Sequence, residues 1–320
     1  MPKVSVIIPA FNAEGTIVDA LVSVQEQSHH NLEILVVDDC STDKTKEIVQ
    51  SFMVKDQRIK LLSTSFNIGP SGARNIALDV ATGMWVTLID ADDLWTSNRV
   101  SSLLIYAKLE KVDCVIDNLM TLDHSSNKIH GLSCFSGKNK PAILTPENLF
   151  IFDNPFLNEE PTIGYCKPFI NVDFIRRNYI CYDHRYRFHE DFIFLADIVL
   201  IGGKVIILPV AFYIYRLKIS PTTGEESPFS HTTFNLQSLF QASNEILVKY
   251  RNKLSKKALR TLLFRNKLFL INSHFQEQKK LLINCSLLSV MKLLCKEPFY
   301  IIIKLLYLRR IIVKKLRVKF

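Results

Sequence analysis

The chain has 320 residues and an apolar content of 48%, enough for one sizeable α/β domain with an extension or for two domains, and too apolar for a disordered chain. Its net charge of +9 is unevenly spread: residues 249–320 hold 19 Lys and Arg against two acids, Glu277 and Glu297, for +17, while residues 1–248 carry −8. An acidic body with a basic tail directs the tail toward an anionic surface, either lipid headgroups or nucleic acid.

The opening MPKVSVIIPAFNAEG reads as a first strand, VSVII (4–8), stopped by Pro9. It does not read as a signal peptide, because the apolar run is short and meets Asn12 and Glu14 at once. TIVDALVSVQEQS (16–28) has a helical pattern, and LEILVVDD (32–39) is a second strand ending on acids. STDKTKEIVQSFM (41–53) is a helix opened by a Ser/Thr/Asp cap. IKLLST (59–64) is a third strand, followed by a Gly-containing loop, the helix SGARNIALDVAT (71–82) and a fourth strand, WVTLID (85–90). This alternation predicts βαβ units and a largely parallel sheet buried on both faces. Ligands of such sheets bind outside the carboxyl ends of the strands. Pro9–Asn12, Asp38–Asp39, the loop 65–72 and Asp90–Asp93 all fall there.

A helix over 97–111 and a strand over 114–120 continue the domain, and residues 121–165 read as irregular loops. Residues 192–216 read as a helix, a Gly-Gly turn and a strand. From about 230 onward, apolar positions recur at helical spacing among frequent Lys and Arg. Seven cysteines with no C-x-x-C pair predict neither a disulfide framework nor a zinc site and fit a reducing compartment.

WVTLIDADDLW (85–95) sets Asp90, Asp92 and Asp93 against a buried strand end. Like charges there need water or a positive partner. Asp-x-Asp offers hard oxygen ligands suited to Mg²⁺ or Mn²⁺, shared with substrate phosphates. The loop Asn67–Gly72 opens a helix, so its backbone N–H groups, that of Gly69 among them, can face a phosphate. Arg74, one turn on, suits bidentate phosphate contact or pairing with the Asp cluster, a purely structural salt bridge being the alternative.

Five segments in this order, VSVIIPAFNAE (4–14), EILVVDDCSTDKT (33–45), NIGPSGARNIAL (67–78), LIDADD (88–93) and HED (189–191), resemble the family 2 glycosyltransferases over roughly residues 3–220. A lone Asp-x-Asp would be weak; the ordered set is specific. The resemblance implies the GT-A fold, an α/β fold with a Rossmann-like, mostly parallel central sheet flanked by helices. It implies a catalytic domain over 1–225, with a nucleotide-sugar-binding half (1–95) and an acceptor half (96–225), and a basic helical extension over 226–320. The implied activity is inverting, metal-dependent transfer from a nucleotide-diphosphate sugar, with a lean to a UDP-sugar, to a hydroxyl of a growing surface glycan or glycolipid.

By the same resemblance, Asp92 contacts the metal, with Asp90 and Asp93 in support through ribose or bound water. Asp39 accepts the imide N–H of uracil, with either Asp38 or Asp39 serving instead as a helix cap. Pro9, Ala10 and Asn12 line the base and ribose, unless Asn12 only forms a turn. Transfer needs a base for the acceptor hydroxyl; Asp191 takes that role and Glu190 orients the acceptor, the alternative being helix N-terminal acids stabilised by the dipole. His189 reads as a local structural or acceptor-side residue, and Asn75 as a packing or capping residue. Arg216, in YIYRLKISPTT (213–223), meets the diphosphate or lies on the surface, with Ser220 and Thr222 nearby.

The tail ends in EPFYIIIKLLYLRRIIVKKLRVKF (297–320), whose longest uncharged stretch is Pro298–Ile303, far short of the ~20 apolar residues of a spanning helix. It reads as an interfacial helix on anionic lipid, by snorkelling of its long basic side chains, or as a hairpin covering the domain. Nucleic acid is disfavoured for lack of interleaved aromatics or a motif. The expected location is cytoplasmic, peripheral on the inner face of the cell membrane. Two whole-protein alternatives stand beside this reading: a polyprenyl-phosphate glycosyltransferase, and a non-catalytic nucleotide-sugar-binding protein.

Overall fold

The computed structural model describes residues 1–123, 128–134, 139–154, 162–186, 189–217 and 236–282. Strands and helices alternate at first: β1 (Val4–Ala10), α1 (Ile17–Gln25), β2 (Leu32–Asp38), α2 (Thr45–Lys55), β3 (Ile59–Ser63), α3 (Gly69–Val80) and β4 (Trp85–Leu88). Then come β5 (Leu94–Trp95), α4 (Arg99–Glu110), β6 (Cys114–Asp123), β7 (Lys128–Ser133), β8 (Ala142–Ile143) and α5 (Pro146–Phe152). A 3₁₀ turn (Ile163–Tyr165) precedes β9 (Phe169–Asn171), α6 (Val172–Arg177), α7 (Glu190–Ile201), β10 (Val205–Arg216), α8 (Leu236–Tyr250) and α9 (Lys256–Leu282).

One sheet takes in all these strands, in the order β3-β2-β1-β4-β9-β6-β10-β5, with β7 on β6 and β8 on β10. β3, β2, β1 and β4 run parallel, β9 lies antiparallel between β4 and β6, and β10 runs parallel to β6. The α/β fold with a Rossmann-like sheet is therefore as the sequence predicts. The strand order reverses between β1 and β4, which places a crevice at their carboxyl ends. β2 is buried along its whole length, as a strand covered on both faces must be. All of α7 except Ile201 is buried, so this helix is part of the core and not an amphipathic cover.

The differences from the sequence reading have local causes. The fourth strand stops at Leu88, and Leu94–Trp95 pairs antiparallel with Tyr213 and Ile214 of β10. The Asp90–Asp93 loop is thus pulled across to β10 in place of extending the strand. α2 begins only at Thr45, whose N–H is capped by Asp43 Oδ1 at 2.9 Å. The stretch 121–165 is not wholly irregular. It holds β7, β8 and α5, the last capped by Thr145, whose side chain accepts from Asn148 N–H, and these elements are too short to show a period. Cys134 and Cys166, distant in sequence, are joined by a thiol hydrogen bond at 3.6 Å and form no disulfide.

α8 and α9 pack against α7 and α5. Buried Arg265 of α9 pairs with Asp153 after α5 and lies over the Phe192 ring of α7 at 4.4 Å. The described part of the basic extension therefore covers the domain. No helix among the described residues is long and apolar enough to cross a membrane; residues 283–320, with the 297–320 segment, lie outside them, as do Ser220 and Thr222.

At the amino ends of the strands, buried Glu33 of β2 ties four segments together. It accepts from Ser5 Oγ at 2.8 Å, Thr82 N–H at 2.9 Å, Lys60 Nζ at 2.7 Å and Lys3 Nζ at 3.3 Å. Burial alone would raise its pKa, but these donors bring it down from 4.5 to about 2. Its contribution to stability is therefore complete above pH 4.5 and lost as the pH falls through about 2. Glu33→Gln is expected to lower unfolding free energy by about 1–3 kcal/mol at neutral pH. In urea titrations the gap to wild type should close as pH falls across that window; a gap independent of pH would rule out the ionised network.

Candidate active site

The carboxyl ends of β1 and β2 carry the first set of predicted residues. Asp39 sits just beyond β2, its N–H donating to Ala10 C=O at 2.8 Å. Its Oδ1 accepts from Thr64 Oγ1 and from Ile68 N–H, both at 2.9 Å, and its Oδ2 accepts from Gly69 N–H at 2.8 Å. The two N–H groups expected to face a phosphate are therefore turned onto Asp39, and Gly69 takes a positive φ of 81° to do so. At Gly72, next to it, a Cβ would lie 2.7 Å from the Ile68 side chain, which would have to shift. Asp38 is also buried, and its Oδ1 has no hydrogen-bond partner. Asn12, with φ 48°, accepts from Thr42 N–H at 2.8 Å through Oδ1, so it braces the turn beside Pro9 and Ala10. Phe11, between them, is half-exposed at this edge.

The second set meets at the carboxyl end of β4, where the antiparallel β9 begins. Arg74, buried in the first turns of α3, donates from Nη1 to Glu190 at 2.7 Å and from Nη2 to Asp90 at 2.8 Å. Its Nη1 also lies 3.3 Å from Asp191 Oδ1, and its guanidinium lies 5.2 Å from the centre of the Tyr182 ring. Buried Lys167 completes the arrangement: its ammonium is 2.8 Å from Asp90 Oδ2 and bonds Asp191 Oδ2. Arg74, Asp90, Lys167 and Asp191 form a closed ring of alternating charge, with Glu190 attached. Arg74 thus pairs with Asp90 of the acidic cluster as well as with Glu190.

The electrostatics follow from this geometry. Burial works against the charge on Lys167 and Arg74, but Asp191 and Asp90 outweigh it and raise the proton affinity of both. Burial would likewise raise Asp90, yet Lys167 and Arg74 hold it well below the usual carboxylate range. Burial and the Asp191 charge push Glu190 upward against the pull of Arg74. His189, just before α7 with φ 64°, is held down to about 3 by burial and by Arg265, and so stays neutral.

Asp93 faces the other way. Its Oδ2 accepts from Tyr213 Oη at 2.6 Å and its Oδ1 from Arg216 N–H at 2.9 Å. Burial, then the Asp92 and Asp90 charges, push it well above the usual range. The side chain of Arg216 pairs with Asp19 of α1 at 2.9 Å.

Asp90, Asp92 and Asp93 offer ligand oxygens within 4.8 Å of one another, a hard-oxygen set that fits Mg²⁺ or Mn²⁺. Both oxygens of Asp90 already meet protein cations, and both of Asp93 hold β10 in place. The positive partner demanded by three carboxylates at a strand end is in part supplied by the chain itself.

Sequence reasoning missed Lys167, Tyr213 and Arg99. Arg99, at the start of α4, is fully buried; it donates to both oxygens of Asp117 at 3.2 and 2.9 Å, to Thr87 Oγ1 at 3.0 Å and to Lys167 C=O at 2.9 Å. The available signal was a lone charged residue at the edge of an apolar strand, in KPFINV (167–172). Asn75 acts as the packing residue expected, exchanging two 2.8 Å hydrogen bonds with the backbone of Tyr182.

Comparison with known proteins gives this arrangement a context. The profile of Glycosyl transferase family 2 matches residues 5–170. The chain is 31% identical over 218 residues to succinoglycan biosynthesis protein ExoO of Rhizobium meliloti, covering 68% of this chain and 62% of that protein. It is 38% identical over 112 residues to the Escherichia coli protein WfaP, named UDP-Glc:alpha-D-GlcNAc-diphosphoundecaprenol beta-1,3-glucosyltransferase, covering 35% and 44%. The chain thus spans less than two thirds of the length of these relatives. Its fold is similar to the crystal structure of S. aureus TarS 1–349 in complex with UDP-GlcNAc, with a TM-score of 0.65 at 22% identity over 82% of this chain and 72% of that one.

Removing the guanidinium would leave Asp90, Glu190 and Asp191 sharing Lys167 alone. Arg74→Met is expected to cost about 3–5 kcal/mol in unfolding free energy, measured by urea denaturation. A variant as stable as wild type would show that the carboxylates are held by other means.

Proposed function

The chain belongs to glycosyl transferase family 2, and from that premise we propose that it transfers a sugar with inversion, from a UDP-sugar to a hydroxyl of a growing glycan or glycolipid. The observation that carries this reading is the meeting of Asp90–Asp92 on the donor side with Asp191 on the acceptor side at the carboxyl ends of one sheet. A sugar lying against this cluster would have acids of both sets beside its reacting carbon.

The donor's base and ribose would lie over the ends of β1 and β2. The Asp38–Asp39 pair would meet the uracil imide there, and Pro9, Ala10 and Asn12 would form the wall. The diphosphate would lie toward Asp92, with Arg216 at the far edge. Asp92, with Asp90 and Asp93 behind it, would hold Mg²⁺ or Mn²⁺, which would supply charge neutralisation for the leaving diphosphate. Asp191 is the base for the acceptor hydroxyl. Its Oδ2 is tied to Lys167, while its Oδ1 accepts no hydrogen bond and lies 3.3 Å from Arg74 Nη1; Oδ1 is the oxygen that would receive the proton. Glu190, fixed by Arg74, orients the acceptor from the same helix start.

The name of WfaP describes a glucosyltransferase forming a β-1,3 linkage to a diphosphoundecaprenol-linked sugar. That supports a sugar hydroxyl over a lipid phosphate as acceptor here. An acceptor on a lipid carrier would also give the basic extension, taken as residues 226–320 after a catalytic domain of 1–225, an anionic membrane surface to meet on the cytoplasmic side.

Thermal-shift titration with Mn²⁺ and a panel of nucleotide sugars should show metal-dependent stabilisation by one UDP-sugar. Equal shifts with every nucleotide, or none, would count against the donor assignment. In steady-state assays, Asp191→Asn should lower kcat by about 10²–10⁴-fold with donor binding retained. Asp92→Ala should weaken metal-dependent donor binding by roughly tenfold or more. Wild-type turnover by Asp191→Asn would remove it as the base.

A further inference from the structure

We propose that Lys167 is a positioning residue for the transfer step: its ammonium joins Asp191 on the acceptor side to Asp90 on the donor side and sets the base in register with the donor. The proposal rests on the reading of Asp191 as the base.

A buried lysine is rare and persists only when paired. This one is paired at both ends. Its head meets Asp90 Oδ2 at 2.8 Å and Asp191 Oδ2. Its root, the Lys167 carbonyl, accepts at 2.9 Å from Arg99, which is itself held by Asp117 of β6 and Thr87 of β4 and lies 4.5 Å from the centre of the Trp95 ring. The lysine stem therefore runs from the rigid core, just ahead of β9, out to the catalytic carboxylates.

Arg74 alone would not do the same work. Its strong contacts go to Glu190 and Asp90, and it stands 3.3 Å from Asp191 without a hydrogen bond. Lys167 is the group that binds one oxygen of Asp191 and so fixes the carboxylate's rotation about its own axis. That rotation decides where the unpartnered Oδ1 points. A base misplaced by about 1 Å costs on the order of 10²-fold in rate, so the lysine should act on turnover and not on donor affinity.

The test uses the full-length enzyme with saturating metal, donor and acceptor, and the variants Lys167→Met, Lys167→Arg, Asp191→Asn and the Lys167→Met/Asp191→Asn double variant. Lys167→Met is expected to lower kcat about 100-fold with donor KM unchanged. Lys167→Arg, which keeps the charge on a differently shaped head, should recover part of that loss. The double variant should be no slower than Asp191→Asn alone, since both act through one group. If Lys167→Met fails to fold, Lys167→Arg carries the test: a loss confined to kcat supports the proposal, and wild-type kcat overturns it. Unchanged kcat in a folded Lys167→Met, a loss that appears in donor KM instead, or losses that multiply in the double variant would each overturn it. Full turnover by Asp191→Asn would defeat the base assignment itself, whereas an inactive Asp191→Asn beside a fully active Lys167→Met would defeat only the role of Lys167.

Discussion

Two buried cations set among three carboxylates hold the working end of this protein together. Arg74 comes from α3, Lys167 from the lead into β9, Asp90 from the loop after β4, and Glu190 and Asp191 from the start of α7. Each charge alone would be costly to bury; arranged in alternation they compensate one another and fix four segments of chain in one geometry. The arrangement joins α3 and the loop after β4 to the segment before β9 and to α7, so loss of any member loosens the register between them.

The sheet divides its labour between its two ends. At the amino ends, Glu33 collects two lysines, a serine and the Thr82 backbone into a network that only holds strands together. At the carboxyl ends, acids of the same type are left with oxygens short of partners, at Asp38 and Asp191. A satisfied carboxylate stabilises; a buried carboxylate oxygen with spare capacity awaits a ligand or a proton. The contrast marks Asp38 and Asp191 among the candidate site acids.

The C-terminal helices join this scheme from behind. Arg265 of α9 neutralises Asp153 and lies over Phe192, one residue after Asp191. The extension thereby supports α7, the helix that begins with Glu190 and Asp191. Its described portion is part of the domain's packing.

Much of this was legible along the chain. β-Branched runs ending in Pro9, Asp38 and Asp90, with helical stretches between them, determined a largely parallel sheet and put the polar residues at its carboxyl ends, because side-chain period and strand polarity are local properties. The ordered motifs determined the family and named Arg74, Asp90, Asp92 and Asp191 as candidates. Tertiary structure alone decided which of them meet. That Gly69 N–H turns to Asp39, that Asp93 is held by Tyr213, that Leu94–Trp95 crosses to β10, and that Lys167 closes the ring all depend on contacts between residues far apart in sequence. A lone lysine before a short strand has no period and no motif; its partners lie 77 residues before it and 24 after it in the numbering. Only the folded sheet, by bringing β4, β9 and α7 together, makes it part of the site.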